Sequence, residues 1–293
     1  MLNIKKMEKC ALAFFALLSA LFLLSLFLSP ERKYREKIVE TALFSSDNIS
    51  CVRKIVLKDS SSFLSIEKEG EDFFVVLPSG ERLIAENEFV GSFLSNLSKK
   101  RDVIVVSEKK SSWSGTGVGD NGLFSLSIDF GEGKSASIFF GDGFDGAGNV
   151  FFRSSSSPFV YQCGNDFASY LKTDLSFWTS KSLFSTVGKV NEGDLQSVSM
   201  GEKLLSGERL KDAEHALLAL SRGLVVEGAV DEAAEKVRVR ASFLGGRETL
   251  LTFFSWDNHY VVRSDVFLHG EKKASYCFSV SEWTFSELSS IFS

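Results

Sequence analysis

The most recognisable chemical spacing in the sequence is that of the glycines at residues 141–146, which fit the pattern G-x-G-x-x-G. In dinucleotide-binding proteins such glycines let a phosphate approach the N-terminus of the helix that follows. Residues 149–153, Asn-Val-Phe-Phe-Arg, instead have the composition of a strand. A strand offers no helix dipole to hold a phosphate, so we interpret the motif as a hairpin turn.

The same turn carries the oxygen ligands that a calcium ion would need. Asp142, Asp145 and Asn149 lie close together in the sequence. An EF-hand loop has more carboxylates and ends on a bidentate glutamate, and this turn has neither. We therefore expect a solvated Asp/Gly turn, no metal and no cofactor.

A second glycine-rich stretch covers residues 115–119, Gly-Thr-Gly-Val-Gly. A phosphate loop would continue with Gly-Lys followed by Ser or Thr, which is absent here. We interpret the stretch as a surface loop. Trp113, just before it, is either a packing anchor or an exposed contact residue, and we favour the packing anchor.

The residues that could perform nucleophilic catalysis are scattered. His215, His259 and His269 share no motif with a nucleophile, and the sequence contains no G-x-S-x-G. Many serines occur in runs such as Ser60–Ser62 and Ser154–Ser157, which are typical of loops. The sequence therefore predicts a protein that is not an enzyme.

The four cysteines are Cys10, Cys51, Cys163 and Cys277, and no two of them form a C-x-x-C pair. This spacing argues against a zinc site and against a disulfide-rich scaffold. A single Cys163–Cys277 bridge is one interpretation. The alternative, which we favour, is that Cys51, Cys163 and Cys277 are small buried apolar residues.

Composition limits the class of protein further. The chain has 293 residues, is 44% hydrophobic and carries a formal net charge of −5. It is long enough to bury a substantial core, and its acidic balance argues against nucleic acid as a partner. Its 28 phenylalanines favour many half-buried strands, because aromatic rings pack well on pleated surfaces.

Residues 10–28 form an uncharged apolar run that predicts an N-terminal membrane helix. About 19 residues at 1.5 Å each span roughly 28 Å, close to the hydrocarbon thickness of a bilayer. The alternatives are a buried core helix and a cleaved signal, but the run has no polar stripe and no small-x-small ending. The expected membrane-anchor residues are Cys10, Leu12, Ala13, Ala16, Ala20 and Leu28.

The expected location follows from this anchor. Lysines precede it and both basic and acidic residues follow it, so the positive-inside count is nearly balanced. The very short N-terminal arm favours the N-terminus inside. We therefore expect a single-pass protein of the cytoplasmic (inner) membrane with its remaining part extracytoplasmic, in the periplasm. Ala13, Ala16 and Ala20 lie on one face, which either docks on a permease helix or is incidental in a plain lipid anchor.

The rest of the chain has the pattern of strands with a few amphipathic helices. After a charged stalk at residues 31–47, strands are expected near residues 52–58, 63–68 and 73–76, and a helix carries Phe89, Val90, Phe93, Leu94 and Leu97 on one face. A helix near residues 210–220, a Val-rich strand, four further strands and a terminal helix repeat this order.

The repeated order predicts an α+β fold in which the N-terminal transmembrane helix is followed by two related modules of antiparallel sheet with packed helices. The expected domains are the anchor (residues 1–30), the stalk (31–47), a first module (48–184) and a second, related module (185–293).

Several short motifs accompany the apolar N-terminal run with its charged stalk, among them an acidic-aromatic helix start. The segments are Ile55–Leu57, Leu64–Ile66, Ala85–Val90, Phe139–Gly141, Val150–Arg153 and Val160–Tyr161. With these features the chain resembles a bacterial family, the domain of unknown function 4340. A tryptophan that the family usually has near residues 78–80 is missing, and Phe73 and Phe74 stand nearby instead.

The resemblance implies a single-pass protein that accompanies ABC-type export machinery related to gliding-motility transporters, with no family catalytic residues to carry over. We therefore expect a non-catalytic extracytoplasmic accessory or assembly subunit. Its partners would be the lipid bilayer and an ABC-type permease or associated envelope proteins, with no small-molecule substrate. The alternative is a cell-envelope glycan- or peptidoglycan-binding protein that uses Trp256, Tyr260 and Trp283. An envelope hydrolase is a third interpretation, which the missing catalytic motifs oppose.

Overall fold

A computed structural model describes residues 14–22, 38–143, 148–226, 235–256 and 259–293. Most of the described regular structure consists of antiparallel strands. A helix over residues 14–22, named α1, comes before them.

We call the part from β1 to α4 the first half. It contains ten strands and, after α1, the helices α2 to α4. The strands are β1 (Ile38–Thr41), β2 (Lys54–Asp59), β3 (Phe63–Glu69), β4 (Asp72–Val76), β5 (Arg82–Ile84), β6 (Arg101–Ser107), β7 (Phe124–Gly131), β8 (Lys134–Phe140), β9 (Asn149–Ser154) and β10 (Val160–Gly164). The helices are α2 (Ser46–Ser50), α3 (Asn87–Ser98) and α4 (Leu175–Trp178), with short 3-10 helices at Lys110–Ser112 and Ala168–Tyr170.

We call the part from β11 to α6 the second half, and residues 179–194 the linking segment. The strands are β11 (Leu195–Met200), β12 (Lys203–Ser206), β13 (Val225–Val226), β14 (Glu235–Phe243), β15 (Arg247–Trp256), β16 (His259–Leu268) and β17 (Glu271–Val280). The helices are α5 (Glu208–Ala219) and α6 (Glu282–Ile291), with a 3-10 helix at Leu244–Gly246.

The described strands form one sheet of 17 strands, and every pairing is antiparallel. Following the pairings gives the order β1-β6-β10-β9-β8-β7-β2-β3-β4-β5-β17-β16-β15-β14-β11-β12, with β13 also alongside β17. The two halves join through β5 and β17, where Arg82 pairs with Ser275. Lys273 of β17 forms an ion pair across this junction with Glu69 of β3 at 3.0 Å, and Glu69 also pairs at 2.8 Å with Arg82 of its own half.

The two halves share a strand-pairing order. The first half contains the order β6-β10-β9-β8-β7-β2-β3. The second half contains β13-β17-β16-β15-β14-β11-β12, with corresponding strands in corresponding places. Helices α3 and α5 precede β6 and β13 in the same way.

The core lies beneath the amphipathic helices. Helix α3 buries Val90, Phe93, Leu94 and Leu97, the spacing that places residues on one helical face. Phe89 and Phe93 of this helix also pack edge-on against Trp178, which is fully buried. This packing fixes α3 and the end of α4 next to each other, and both adjoin the linking segment.

The fold class predicted from the sequence was wrong about the sheet. Two related modules of antiparallel sheet with packed helices were expected, whereas the described strands form one large sheet with few helices. A strand at the edge of a sheet leaves a row of backbone N–H and C=O groups unpaired. Here the edge strand β5 of one half meets β17 of the other, and their pairing merges the halves into a single sheet.

The predicted transmembrane helix was also wrong. No helix in the described part of the chain is long and apolar enough to cross a membrane. Of the expected anchor residues, Ala16 and Ala20 lie on the described helix α1. The other expected anchor residues, Cys10, Leu12, Ala13 and Leu28, lie outside the described residues.

Candidate functional site

The glycines of the G-x-G-x-x-G motif serve close backbone packing. Phe140 ends β8 and Gly141 follows it, and β8 pairs with β9 rather than preceding a helix. A Cβ on Gly141 would lie 1.8 Å from the carbonyl oxygen of Thr116, so any side chain would collide with the 115–119 loop. Gly117 in turn lies against Gly141 and Asp142. The two glycine-rich stretches therefore pack against each other, and residues 144–147 lie outside the described residues.

Potential metal ligands do not converge. Of the acidic turn, Asp142 and Asn149 are described and Asp145 is not. Among the residues that the structure places, no three His, Cys, Asp or Glu side chains form a group that could hold a metal ion. His215, His259 and His269 are all exposed and lie on α5, at the start of β16 and in the turn after it, respectively.

Cys51, Cys163 and Cys277 are all free thiols in this structure. Cys163 of β10 pairs with Val103 of β6, and Cys277 of β17 pairs with Val226 of β13. The two cysteines thus hold matching places in the shared pairing order. Burial raises the pKa of the Cys163 thiol to about 11, which keeps it protonated and unreactive at neutral pH.

Trp113 acts as a packing anchor. Its indole Nε1 donates to the carbonyl oxygen of Pro158 at 2.9 Å, and the guanidinium of Arg153 lies 3.8 Å from its ring. Arg153 is itself buried and donates to the Val118 carbonyl at 3.0 Å and to Asp120 at 2.6 Å. These contacts hold the 115–119 loop and Trp113 to β9.

The three aromatic residues of the predicted glycan groove have different environments. Trp283 is 69% exposed on α6 and Trp256 is 46% exposed at the end of β15. Tyr260 instead stacks on Phe285, with 4.1 Å between ring centroids. Two exposed rings remain at this end of the second half.

Hydrogen-bonding groups from distant parts of the chain line a cleft where the halves meet, which we call the junction cleft. It has a volume of about 450 Å³. It is formed by the end of β5 and the start of α3, by most of the linking segment, and by the end of α5. The lining residues are Ile84, Ala85, Glu86, Asn87, Glu88, Ser180, Lys181, Ser182, Phe184, Ser185, Thr186, Gly188, Lys189, Val190, Leu218, Leu220 and Ser221.

The wall formed by the linking segment is held by the buried side chain of Arg222. Its Nε donates to the Ser180 carbonyl at 2.6 Å and its Nη1 to the Gly223 carbonyl at 2.8 Å, while Nη2 donates to the Thr179 hydroxyl. The backbone N–H of Arg222 also donates to the Lys181 carbonyl at 3.0 Å. Arg222 therefore anchors the start of the linking segment to the loop after α5.

The far end of this wall is held by Asp72. Its Oδ1 accepts hydrogen bonds from the backbone N–H of Gly188 at 2.9 Å and from the Asn87 amide at 2.7 Å. The side-chain amide oxygen Oδ1 of Asn87 accepts from the Phe73 backbone N–H at 2.8 Å. One carboxylate thus links β4, the first turn of α3 and the linking segment. These hydrogen bonds fix the backbone of the cleft walls, so the cleft has its shape before any ligand binds.

The cleft contains two acids and two lysines, of which one pair is joined directly. Lys189 lies 2.6 Å from Glu88, and both are exposed. Glu86 is half-buried, and its side chain has no hydrogen bond or ion pair among the described residues, although Lys181 acts on it electrostatically. Burial, followed by the negative charge of Glu88, raises the pKa of Glu86, and Lys181 opposes this shift.

The matched family is defined by a segment that contains this whole cleft. A family model described as "Domain of unknown function (DUF4340)" matches residues 76–241, more than half of the chain. The chain belongs to the DUF4340 family. The family resemblance predicted from short motifs is thereby confirmed. No curated protein and no solved structure gave a match.

Every lining residue of the junction cleft falls within the segment that identifies this chain as a DUF4340 protein. The chemistry available there is hydrogen bonding. Ser185 donates to the Ser182 carbonyl at 2.8 Å, and Thr186 donates to the Gly188 carbonyl at 3.3 Å. Among the described residues that line the cleft there is no histidine and no cysteine. The site offers backbone N–H and C=O groups, side-chain hydroxyls and the charged side chains of Glu86 and Lys181, which have no hydrogen bond among the described residues.

One signal for this cleft was present in the sequence of the DUF4340 chain. The acidic-aromatic helix start at residues 85–90 was among the motifs of the resemblance, and it contributes Ala85, Glu86, Asn87 and Glu88 to the lining. The linking segment was not recognised, because its serines have the composition of an ordinary loop. Its role depends on Arg222 and Asp72, which are distant in sequence.

Proposed function

We propose that this DUF4340 protein is a non-catalytic binding and assembly subunit of an ABC-type export system and that it acts on the extracytoplasmic side of the membrane. The observation that carries the binding role is the junction cleft. It is preformed and rich in hydrogen-bonding groups, and it lies entirely inside the segment that defines the family. The association with an export system and the location come from the family resemblance.

The half-buried Glu86 supports a binding role on energetic grounds. An ionised carboxylate without a bonded partner costs free energy when it is partly removed from water. Residues that reduce stability in this way are concentrated at functional sites, because a ligand supplies the missing interaction. A glutamine at this position would fill the same volume without the charge.

Co-purification tests the association with an export system. The full-length chain, carrying an affinity tag, is cross-linked in its native cells before membranes are solubilised, and the recovered proteins are quantified by mass spectrometry. We expect the permease subunit of an ABC transporter to be enriched over an untagged control. Recovery of no ABC subunit in repeated experiments contradicts the proposal.

A second candidate function is binding of envelope glycan, which the two exposed tryptophans favour. Trp256 and Trp283 present apolar ring faces of the kind on which sugar rings stack. Co-sedimentation with purified peptidoglycan tests it. If the chain sediments and a Trp283→Ala variant does not, glycan binding replaces the transporter proposal as the better account. If both stay in solution, glycan binding is excluded.

A further inference from the structure

We propose that the junction cleft and the adjoining surface of α3 form one continuous site for an extended polypeptide segment of a partner protein. This inference rests on the proposed function, since it names the chemical class of the partner that the binding subunit holds. It is carried by the shape of the surface, by the small residues on its floor and by the hydrogen-bonding groups left unpaired in the cleft.

The surface beside the cleft is a shallow groove along α3, which we call the α3 groove. Its lining residues are Glu88, Gly91, Ser92, Ser95, Asn96, Ser98 and Lys99. Glu88 lines both the cleft and the groove, so the two are continuous. From Glu88 to Lys99 the helix rises roughly 16 Å, which matches about five residues of extended chain. A long, shallow shape suits an extended chain better than a compact ligand.

Small side chains keep the floor of the α3 groove low. A Cβ added at Gly91 would have no atom within 4 Å, so the space above this glycine is open. Ser92 and Ser98 donate their hydroxyls back to the helix carbonyls of Glu88 and Ser95, at 2.8 and 2.9 Å. A partner backbone can therefore approach α3 closely here.

The unpaired groups in the junction cleft match a peptide backbone. Glu86 supplies a carboxylate that accepts, and Lys181 supplies an ammonium that donates. Neither side chain has a hydrogen bond among the described residues. Glu88 and Lys189 already satisfy each other. An extended segment brings an N–H and a C=O at each residue. A single peptide backbone can therefore donate an N–H to the Glu86 carboxylate and accept at a C=O from the Lys181 ammonium.

The same lining argues against a sugar chain. Glycan sites use exposed aromatic faces, whereas the one aromatic side chain among the residues that line the cleft and groove is Phe184, which is buried. The exposed tryptophans Trp256 and Trp283 do not line either surface. The occupant that fits is a polypeptide.

Peptide selection on the full-length chain tests the site. A phage-displayed library of random peptides of about 12 residues is panned on the purified protein, and individual selected peptides are synthesised and measured by fluorescence anisotropy. We expect Gly91→Trp, which fills the groove, and Glu86→Gln, which removes the acceptor charge, each to weaken binding about tenfold or more. Gly91→Ala should retain binding, because its added methyl group is small.

Gly119→Trp is the matched control. Gly119 also has no atom within 4 Å of an added Cβ, and it lines neither surface. This variant should bind selected peptides as the unaltered chain does. Failure to select any peptide overturns the inference, and so does equal binding by Gly91→Trp and Gly119→Trp. Loss of binding by Glu86→Gln, which keeps the side-chain volume, supports it even if Gly91→Trp does not fold.

Failure of this inference can be separated from failure of the proposed function. If the ABC permease co-purifies equally with the unaltered chain and with Gly91→Trp, the transporter role stands and the cleft is not where the permease binds. If selected peptides bind in a Gly91-dependent manner but no ABC subunit is recovered, the polypeptide site stands and the transporter role fails.

Discussion

Asp72 in β4 accepts a hydrogen bond from the backbone N–H of Gly188, 116 positions later in the chain, at 2.9 Å. The bond ties the linking segment to the first half at Gly188, whereas Arg222 holds the start of the same segment at Thr179 and Ser180. Because Asp72 also accepts from Asn87 at the start of α3, the two walls of the cleft share one carboxylate.

Asp72→Ala should therefore destabilise the protein. It leaves the Gly188 N–H and the Asn87 amide without their acceptor, and we expect a loss of about 1–3 kcal/mol in the free energy of unfolding. Urea denaturation followed by circular dichroism measures this loss. Asp212→Ala, on an exposed position of α5, is the control and should change stability by less than about 0.5 kcal/mol. Equal effects from the two variants would contradict the clamp assigned to Asp72.

Arg222→Met should destabilise the protein more. The substitution keeps an apolar stem but removes donors to Ser180, Gly223 and Thr179, all at a buried site. We expect a loss of about 2–4 kcal/mol. Arg222→Lys should not preserve the stability of the unaltered chain, because an ammonium cannot reproduce the planar set of donors of the guanidinium. Arg209→Met, at an exposed position, is the control, and a lysine variant as stable as the unaltered chain would refute this account of Arg222.

Two glycine-to-alanine substitutions should have opposite effects. Gly91→Ala meets open space inside α3 and should raise the free energy of unfolding by about 0.5–1 kcal/mol, because alanine favours the helix. Gly141→Ala places a methyl group 1.8 Å from the Thr116 carbonyl oxygen and should lower it. The thermal unfolding midpoints of the two variants, compared with that of the unaltered chain, measure both effects. A neutral Gly141→Ala would show that the two glycine-rich stretches do not pack together in solution.

The stability contributed at Glu86 should depend on pH. Its pKa is raised in the folded protein, mainly by burial and then by Glu88, so ionising it costs more in the folded than in the unfolded state. That cost is absent at pH values below the pKa of the unfolded chain and appears as the pH rises through the folded pKa. Glu86→Gln should therefore stabilise the protein at pH 7, and the gain should vanish below about pH 4.

Urea denaturation at both pH values measures the effect of Glu86→Gln. Glu287→Gln, exposed on α6, is the control and should leave stability nearly unchanged at each pH. A Glu86→Gln variant that is less stable at neutral pH would mean that the carboxylate is bonded within the folded protein, and the cleft would lose its unpaired acceptor.

Local patterns in the sequence were sufficient to predict individual helices and turns. The apolar spacing from Phe89 to Leu97 predicted α3 and most of its buried face, and the pattern near residues 210–220 predicted α5. These elements depend on periodicity within a dozen residues, which a sequence displays directly. The same is true of the turn interpretation at residue 141, since β8 and β9 follow each other along the chain.

The single sheet and the junction cleft could not be predicted in this way. The join between halves rests on Arg82 pairing with Ser275, and neither residue carries a local signal for the other. In the sequence, the linking segment has the composition of an ordinary serine-rich loop. Its role as a cleft wall becomes visible only from its hydrogen bonds with Arg222 and Asp72. Glu86 stands in an acidic helix start, and its lack of a partner is visible only when the surrounding walls are in place.

The most direct test of the central claim, that the cleft and the α3 groove hold a polypeptide, is photo-cross-linking in cells. A benzophenone amino acid replaces Lys99, an exposed residue at the end of the α3 groove, in the full-length chain, and Gly119 is replaced in a parallel variant. We predict a cross-linked protein at residue 99, identified by mass spectrometry as an ABC permease or an associated envelope protein, and none at residue 119. No adduct at residue 99, or the same adducts at both positions, would contradict the account.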